Sequence, residues 1–414
     1  MLKRIYVNNF KCLVNFEWEP GPSHINLMLG PNGSGKTTVF DCLDRVRAFV
    51  TGERKADSLF PSSTLTLWQH VAKQSFEIEW EREGRLYRYE LAIEHSEKRT
   101  YNWVAQERLS LEGKPLLEFK KGEVTLYGEN FSQPMFTYPV DDSFSAVSLV
   151  PPSGLYDLLT WFKIALHHVM VLQIIPPIMD DSSNKETAQP LRYFQNFVSW
   201  YRWVSQDQGM GFRLQRDLKE VLPGFSHFVF EPYGPDAKLL KVVFDQTTGP
   251  PITLGFSSLS DGQRMLIGLY ALLHGLDAQP EGPEGSGDLP TRTLCLDEPD
   301  NFVASGEIQP WLATAEEKLA NAKARLLMIS HHPESINYGL MPSSEETYSV
   351  YWFSREENSH TRVQPVVAEE PGGLKPSELA ARGWLNQTPE SEVEEPPAKK
   401  QPQRRLTQLV KKTP

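Results

Sequence analysis

Gly30-Pro31-Asn32-Gly33-Ser34-Gly35-Lys36-Thr37 decides how this chain reads. The string satisfies G-x-x-x-x-G-K-[ST] in full, and Thr38 follows it. Upstream, Ser23 to Leu29 is a short apolar run with the pattern of a strand. Downstream, Thr37 to Val50 has helical periodicity and closes before Gly52. A strand, a glycine turn and a helix are the setting in which such a string cradles phosphate. Glycines leave no Cβ in the way of backbone N–H groups that curl round a phosphate chain. The helix start adds partial positive charge. Lys36 is then expected at the β- and γ-phosphates, and the Thr37 hydroxyl at Mg²⁺. Residues 30–38 together form the expected ATP-binding loop.

Working outward, Leu294-Cys295-Leu296-Asp297-Glu298-Pro299 is an apolar strand that ends in two acids. Alone, such acids read as a solvated loop end. Behind a complete phosphate loop they acquire roles: Asp297 as a holder of Mg²⁺ and Glu298 as the base that polarises the attacking water. Between the two lies Ser258-Leu259-Ser260-Asp261-Gly262-Gln263-Arg264, at the start of a helix expected over residues 261–276. It offers a second helix-end anion site, with Asp261 expected to cap the helix. Met328-Ile329-Ser330-His331-His332-Pro333 follows a further apolar strand and places a histidine after it.

These four motifs, in this order, resemble the ABC-type P-loop ATPases. The resemblance implies that Ser260, Gly262 and Gln263 form a signature that grips the γ-phosphate of ATP held by a second copy. Asp261 departs from the family's L-S-G-G-Q by replacing its first glycine. The resemblance makes His331 the switch histidine that contacts the γ-phosphate, with His332 as the other reading. Asn301 or Ser305 would cross to the partner's site, unless Asp300 to Ser305 is a plain capping loop. The glutamine loop stays unplaced; Gln133 lies in a suitable interval.

Residues 38–257 separate the phosphate loop from the signature, more than transporter subunits have. Asn9-Phe10-Lys11 and the Asn of Gly-Pro-Asn-Gly resemble the RecF/SMC-like branch. The intervening segment has no long heptads and no C-x-x-C hook. Asn196 to Arg202, Leu222 to Phe225 and Ser377 to Leu385 resemble stand-alone ATPases of bacterial defence operons, which are OLD-like without the nuclease. Residues 332–414 leave no room for a nuclease domain, so an effector nuclease or toxin is expected on a separate polypeptide. The resemblance implies a homodimer or higher oligomer acting as an ATP-driven switch in anti-phage defence. The alternative is a RecF-like DNA-repair ATPase that binds DNA.

The expected fold is an α/β P-loop core of the ABC type with an antiparallel β lobe and an inserted helical subdomain. Residues 1–150 are expected to hold the phosphate loop and a meander starting near Leu65. Residues 151–225 read as a helical insertion, 226–386 as the lobe with the remaining motifs, and 387–414 as a disordered charged tail. The polar Gly/Pro stretch 277–291 reads as a loop. Phe194, Phe197, Trp200 and Tyr201 form a stripe that suits either a core or a partner face. Three scattered cysteines argue against a zinc site or a disulfide framework. No window is apolar enough for a membrane span, and the first residues do not read as a signal peptide, which predicts a cytoplasmic protein. Net charge −11 argues against a surface coated by nucleic acid but leaves room for one basic groove.

Overall fold

Continuous apolar runs and alternating runs divide this chain into two kinds of sheet, as their burial demands. A computed structural model describes residues 1–128, 133–151, 157–276, 290–341, 347–356, 359–366, 374–383 and 385. The polar stretch at 277–289 and the charged tail lie outside the described residues. In chain order the first elements are β1 (Leu2–Asn8), β2 (Phe16–Trp18), β3 (Ile25–Leu29), α1 (Lys36–Val50) and α2 (Ala56–Leu59). The meander follows as β4 (Lys73–Arg82), β5 (Arg85–His95), β6 (Asn102–Leu111), β7 (Lys114–Lys120), β8 (Glu123–Tyr127) and β9 (Pro134–Pro139). Next come α3 (Ala146–Leu149), α4 (Asp157–His167), β10 (Val169–Leu172), β11 (Ser182–Ser183), α5 (Phe197–Val204) and α6 (Gln208–Val221). Then follow β12 (Phe225–Pro232), β13 (Lys238–Phe244), β14 (Ile252–Gly255), α7 (Asp261–Gly275) and β15 (Arg292–Asp297). The last are α8 (Ser305–Asn321), β16 (Ala324–Ile329), α9 (Pro333–Gly339), β17 (Tyr348–Ser354), β18 (Arg362–Pro365) and α10 (Pro376–Ala381).

Among the described residues, the central sheet runs β10-β15-β16-β3-β17-β18, parallel except for β18. Its inner strands β3 and β16 are buried on both faces, which is why INLML and ARLLMI carry no alternation. Met28 points into a core shared with α1 and the β lobe; Leu27 and Leu29 point into a second core with α7 and α8. The antiparallel sheet runs β2-β1-β4-β5-β6-β7-β8-β9 and alternates buried with solvated positions, as its sequence pattern requires. A smaller sheet of β11, β13, β12 and β14 leads into α7.

Arg325 ties these layers together. Its buried guanidinium donates to the carbonyls of Leu2 (3.0 Å), Ser23 and Gly21. Burial lowers its pKa to about 10.

Two expectations change and one open alternative is settled. Leu65 to Val71 alternates like a strand but forms none: Asn9 Nδ2 takes the Val71 and Lys73 carbonyls, and pairing starts only at Lys73. Within the stretch 151–225, expected to be helical, α4 stops at His167, and Val169–Leu172 becomes an edge strand of the parallel sheet. Its four apolar residues fill a slot beside β15 that a helix could not pair with. Residues 151–225 are therefore not purely helical. The aromatic stripe is core: Phe194, Phe197, Trp200 and Tyr201 are buried, and Phe197 stacks on Phe256.

Candidate active site

Two close approaches explain the glycines of the phosphate loop. Gly30 has φ 137°, and a Cβ there would lie 2.0 Å from the Phe353 carbonyl of β17. Gly35 has φ 103°, and a Cβ would lie 2.3 Å from Thr361 Oγ1. Any other residue would push the loop off the sheet. The loop is thus pressed between the end of β3 and the strands beside it, and α1 begins at Lys36.

Lys36 is buried, and its ammonium donates to the carbonyls of Gly30 (2.8 Å) and Pro31 (3.1 Å) and to Ser34 Oγ (3.4 Å). Burial lowers its pKa, while Glu298 and Asp297 oppose the shift. Asp297, at the end of β15, is buried beside Thr37. Burial and Glu298 raise its pKa; a hydrogen bond from the Thr37 hydroxyl and the charges of Arg192 and Lys36 oppose this. Its Oδ2 has no hydrogen-bond partner among the described residues. An orphaned, buried carboxylate oxygen next to a threonine hydroxyl fits Mg²⁺, which binds through one or two carboxylates, waters and phosphates. Among the described residues no cluster of three or more His, Cys, Asp and Glu competes as a cage for a harder-bound metal.

Glu298 has φ 51°, a left-handed backbone that costs a non-glycine residue about 1–2 kcal/mol. It is held there by its N–H to the Ile329 carbonyl (3.0 Å). The strained turn aims the carboxylate at the loop: Oε2 accepts from Asn301 Nδ2 (2.6 Å), and Oε1 lies 3.8 Å from His331 Nε2. Burial and Lys36 lower the His331 pKa, with Glu298 and Asp300 opposing, so the ring is neutral at pH 7. His332 turns away. It caps α9 by accepting from the Glu334 N–H (3.1 Å) and meets Ser305 Oγ at 3.4 Å. Asp300 is buried and accepts from the hydroxyls of Ser330 and Ser335, which locks the Glu298 turn to the histidine turn.

These groups border a cavity of about 640 Å³. Asn32 to Thr38, Glu298 and His331 line it. Gly30 and Pro31 act behind it through Lys36. The wall also holds Lys11, Cys12, Leu65, Trp68 and Arg355, which the motifs did not announce. Trp68 and Arg355 come from turns distant in sequence, and no spacing rule links them. Gln133 lies on the approach to β9 and does not line this cavity.

The signature residues lie elsewhere. Ser260, Gly262 and Gln263 are not in the wall of this cavity. Ser260, not Asp261, caps α7: its Oγ accepts from the Gln263 N–H (3.2 Å), and its own N–H donates to Gln263 Oε1 (3.0 Å). The Asp261 carboxylate instead takes the Arg264 guanidinium at 2.6 Å.

Comparison with known proteins bears on the family and the fold. A family model described as an AAA domain matches residues 4–135. An OLD nuclease of Thermus scotoductus is 46% identical over 46 residues, which is 11% of this chain and 8% of that protein. The match thus spans a small part of that relative. A crystal structure of an SMC head bound to the C-winged helix domain of ScpA superposes with a TM-score of 0.50 at 11% identity. It covers 88% of this chain and 98% of its own, and shows a shared fold.

Proposed function

We propose that this chain, an ABC-type P-loop ATPase of the SMC, RecF and OLD branch, hydrolyses ATP with Mg²⁺ between two head-to-tail copies of itself. One observation carries the reading: a single chain lines one cavity with Lys36, Thr37, Glu298 and His331, with Asp297 hydrogen-bonded to Thr37 behind it, while Ser260 and Gly262 sit outside its wall. A second copy is the natural source of that missing side.

Lys36 would exchange its loop carbonyls for β- and γ-phosphate oxygens, a charge-assisted replacement at no loss of bonds. Thr37 and Asp297 would hold Mg²⁺, which screens the phosphate charge. The attacking water would give its proton to Glu298 as the bond from the γ-phosphorus to its bridging oxygen breaks. Neutral His331 would donate a hydrogen bond to the γ-phosphate without adding a charge that attracts Glu298. The partner's signature helix end would complete the clasp. Loss of the γ-phosphate then removes what both copies hold, and the dimer relaxes.

This cycle would serve as a conformational switch over a separate effector, a nuclease or toxin, in anti-phage defence within the cytoplasm. The short likeness to an OLD nuclease supports that setting. Mass photometry of Glu298→Gln with and without ATP tests the core of the reading. Dimers are expected only with ATP; monomers at saturating ATP would remove the shared site. DNA-stimulated hydrolysis at low salt would redirect the role to DNA metabolism.

A further inference from the structure

The segment after α2 contradicts its own pattern. Leu65 to Val71 alternates like a strand, yet Leu67 is 88% exposed, and Trp68 and Val71 are also exposed. Large apolar side chains held out in water usually mark a binding surface. This loop is not loose. Asn9 Oδ1 accepts from the Thr66 N–H (3.2 Å), and Asn9 Nδ2 donates to the Val71 carbonyl (2.8 Å). Gln74 Nε2 grips the Asn9 carbonyl (2.9 Å) and the Thr64 carbonyl (3.2 Å). The apolar side chains are therefore presented by a fixed backbone.

They are presented to the phosphate cavity. Leu65, Leu67 and Trp68 line it, and Arg355 joins them. The Arg355 guanidinium lies 5.2 Å from the Trp68 ring centroid. Its Nε donates to the Ser359 carbonyl (2.9 Å), which fixes the fork. Arg355 directly follows β17, the strand whose Phe353 carbonyl presses on Gly30, so its distance from the phosphate loop is set by the sheet.

The geometry points to a nucleobase clamp: Trp68 and Arg355, with Leu65 and Leu67, hold the base of the nucleotide whose phosphates lie in the Lys36 loop. An indole and a planar cation both stack on a purine. The leucines supply an apolar edge. The cavity is large enough for a base in addition to phosphates. Stacking explains why this loop keeps exposed apolar groups beside so polar a site. The clamp rests on the ATP reading above, and it assigns Asn9 and Gln74 as positioning residues that hold the loop over the base.

Calorimetry with two probes, Mg·ATP and Mg·tripolyphosphate, separates the clamp from the phosphate cradle. Trp68→Ala is expected to weaken ATP by about tenfold or more, the scale of base–aromatic stacking, and to leave tripolyphosphate unchanged. Trp68→Phe should recover most of the loss, and Arg355→Ala should weaken ATP alone. The unchanged tripolyphosphate affinity also shows that the variants are folded. Equal ATP affinity in Trp68→Ala and wild type overturns the clamp, and so does parallel loss of both probes. Failure of the wild type to bind either probe overturns the ATP reading and the clamp with it.

Discussion

Two helix N-termini in this chain are fit to hold phosphate, and they are finished differently. α1 has Gly35 at its N-cap, whose lack of a side chain leaves the first N–H groups uncapped by any side chain. α7 has Ser260 at its N-cap, which closes a full capping box with Gln263. The first is therefore a cradle that depends on an anion to finish it. The second is complete alone and can face water between encounters. Its serine has not spent everything: Oγ accepts from Gln263 but keeps its own proton to donate. On the proposed reading, the difference means that the α1 end binds first and the α7 end arrives with a partner.

Glu298→Gln gives the largest break. Loss of a general base should lower turnover by about 10²- to 10⁴-fold. ATP binding should persist, because Gln keeps the Asn301 contact. Turnover near wild type in a steady-state phosphate-release assay would remove Glu298 from its role.

Mixing sharpens the comparison further. Lys36→Ala should weaken ATP about a hundredfold, since it deletes a buried cationic donor. Ser260→Arg should leave binding intact and block the clasp. Each is expected to be inactive alone. In an equal mixture, half the dimers would carry one site with both an intact cradle and an intact signature. Activity should then return to about a quarter of wild type, as head-to-tail sharing requires. A mixture as dead as its parts would place the whole site in one chain.

Acid should act on the cradle and spare the signature. His331 has its pKa lowered, so its protonation sets in only below the ordinary 6.5. Hydrolysis should be flat near pH 7 and fall by severalfold on the acid side as the ring charges. In His331→Gln that limb should vanish from the kcat profile. His168 adds a stability effect with the same sign. Burial holds its folded pKa at about 4 against 6.5, so the unfolded chain binds the proton first as pH falls. Stability from this group is full above pH 6.5 and lost between 6.5 and 4, by about 3 kcal/mol at most.

The cradle was legible because its chemistry is local. Residues 30–37 name their turn and their helix in one string, and β3 is apolar for the reason the central sheet is buried. Asp297 and Glu298 were legible as a strand end, although not the φ that aims Glu298. What escaped was set by contacts distant in sequence. Leu65 to Val71 has a strand's alternation, and only Asn9 and Gln74 divert it. Val169–Leu172 fell within the stretch read as helical because β15, its partner, comes 124 residues later in the chain. Asp261 was expected as the cap from its residue type; Ser260 took that place, and Arg264 took the carboxylate.

That last exchange carries the smallest prediction. Asp261 replaces a glycine of the signature and brings a negative charge close to where a γ-phosphate would arrive. Were the carboxylate facing the phosphate, Asp261→Asn would tighten ATP-driven dimers by about tenfold, that is by about 1.4 kcal/mol, between the roughly 1 kcal/mol a like charge costs at about 4 Å in bulk water and the roughly 4 kcal/mol it costs near a protein surface. In the structure it is bonded to Arg264, whose Nη1 also donates to the Pro176 carbonyl at 2.7 Å. The charge is thus matched before any phosphate comes near. Asp261→Asn should change the dimerisation midpoint less than about twofold and cost about 0.3–1 kcal/mol in urea unfolding, from the lost pair and the lost acid at a helix start. A tenfold gain in dimerisation without that stability loss would mean that Arg264 releases the carboxylate when the second copy docks. The α7 end would then be an adjustable surface, unlike the fixed cradle of α1.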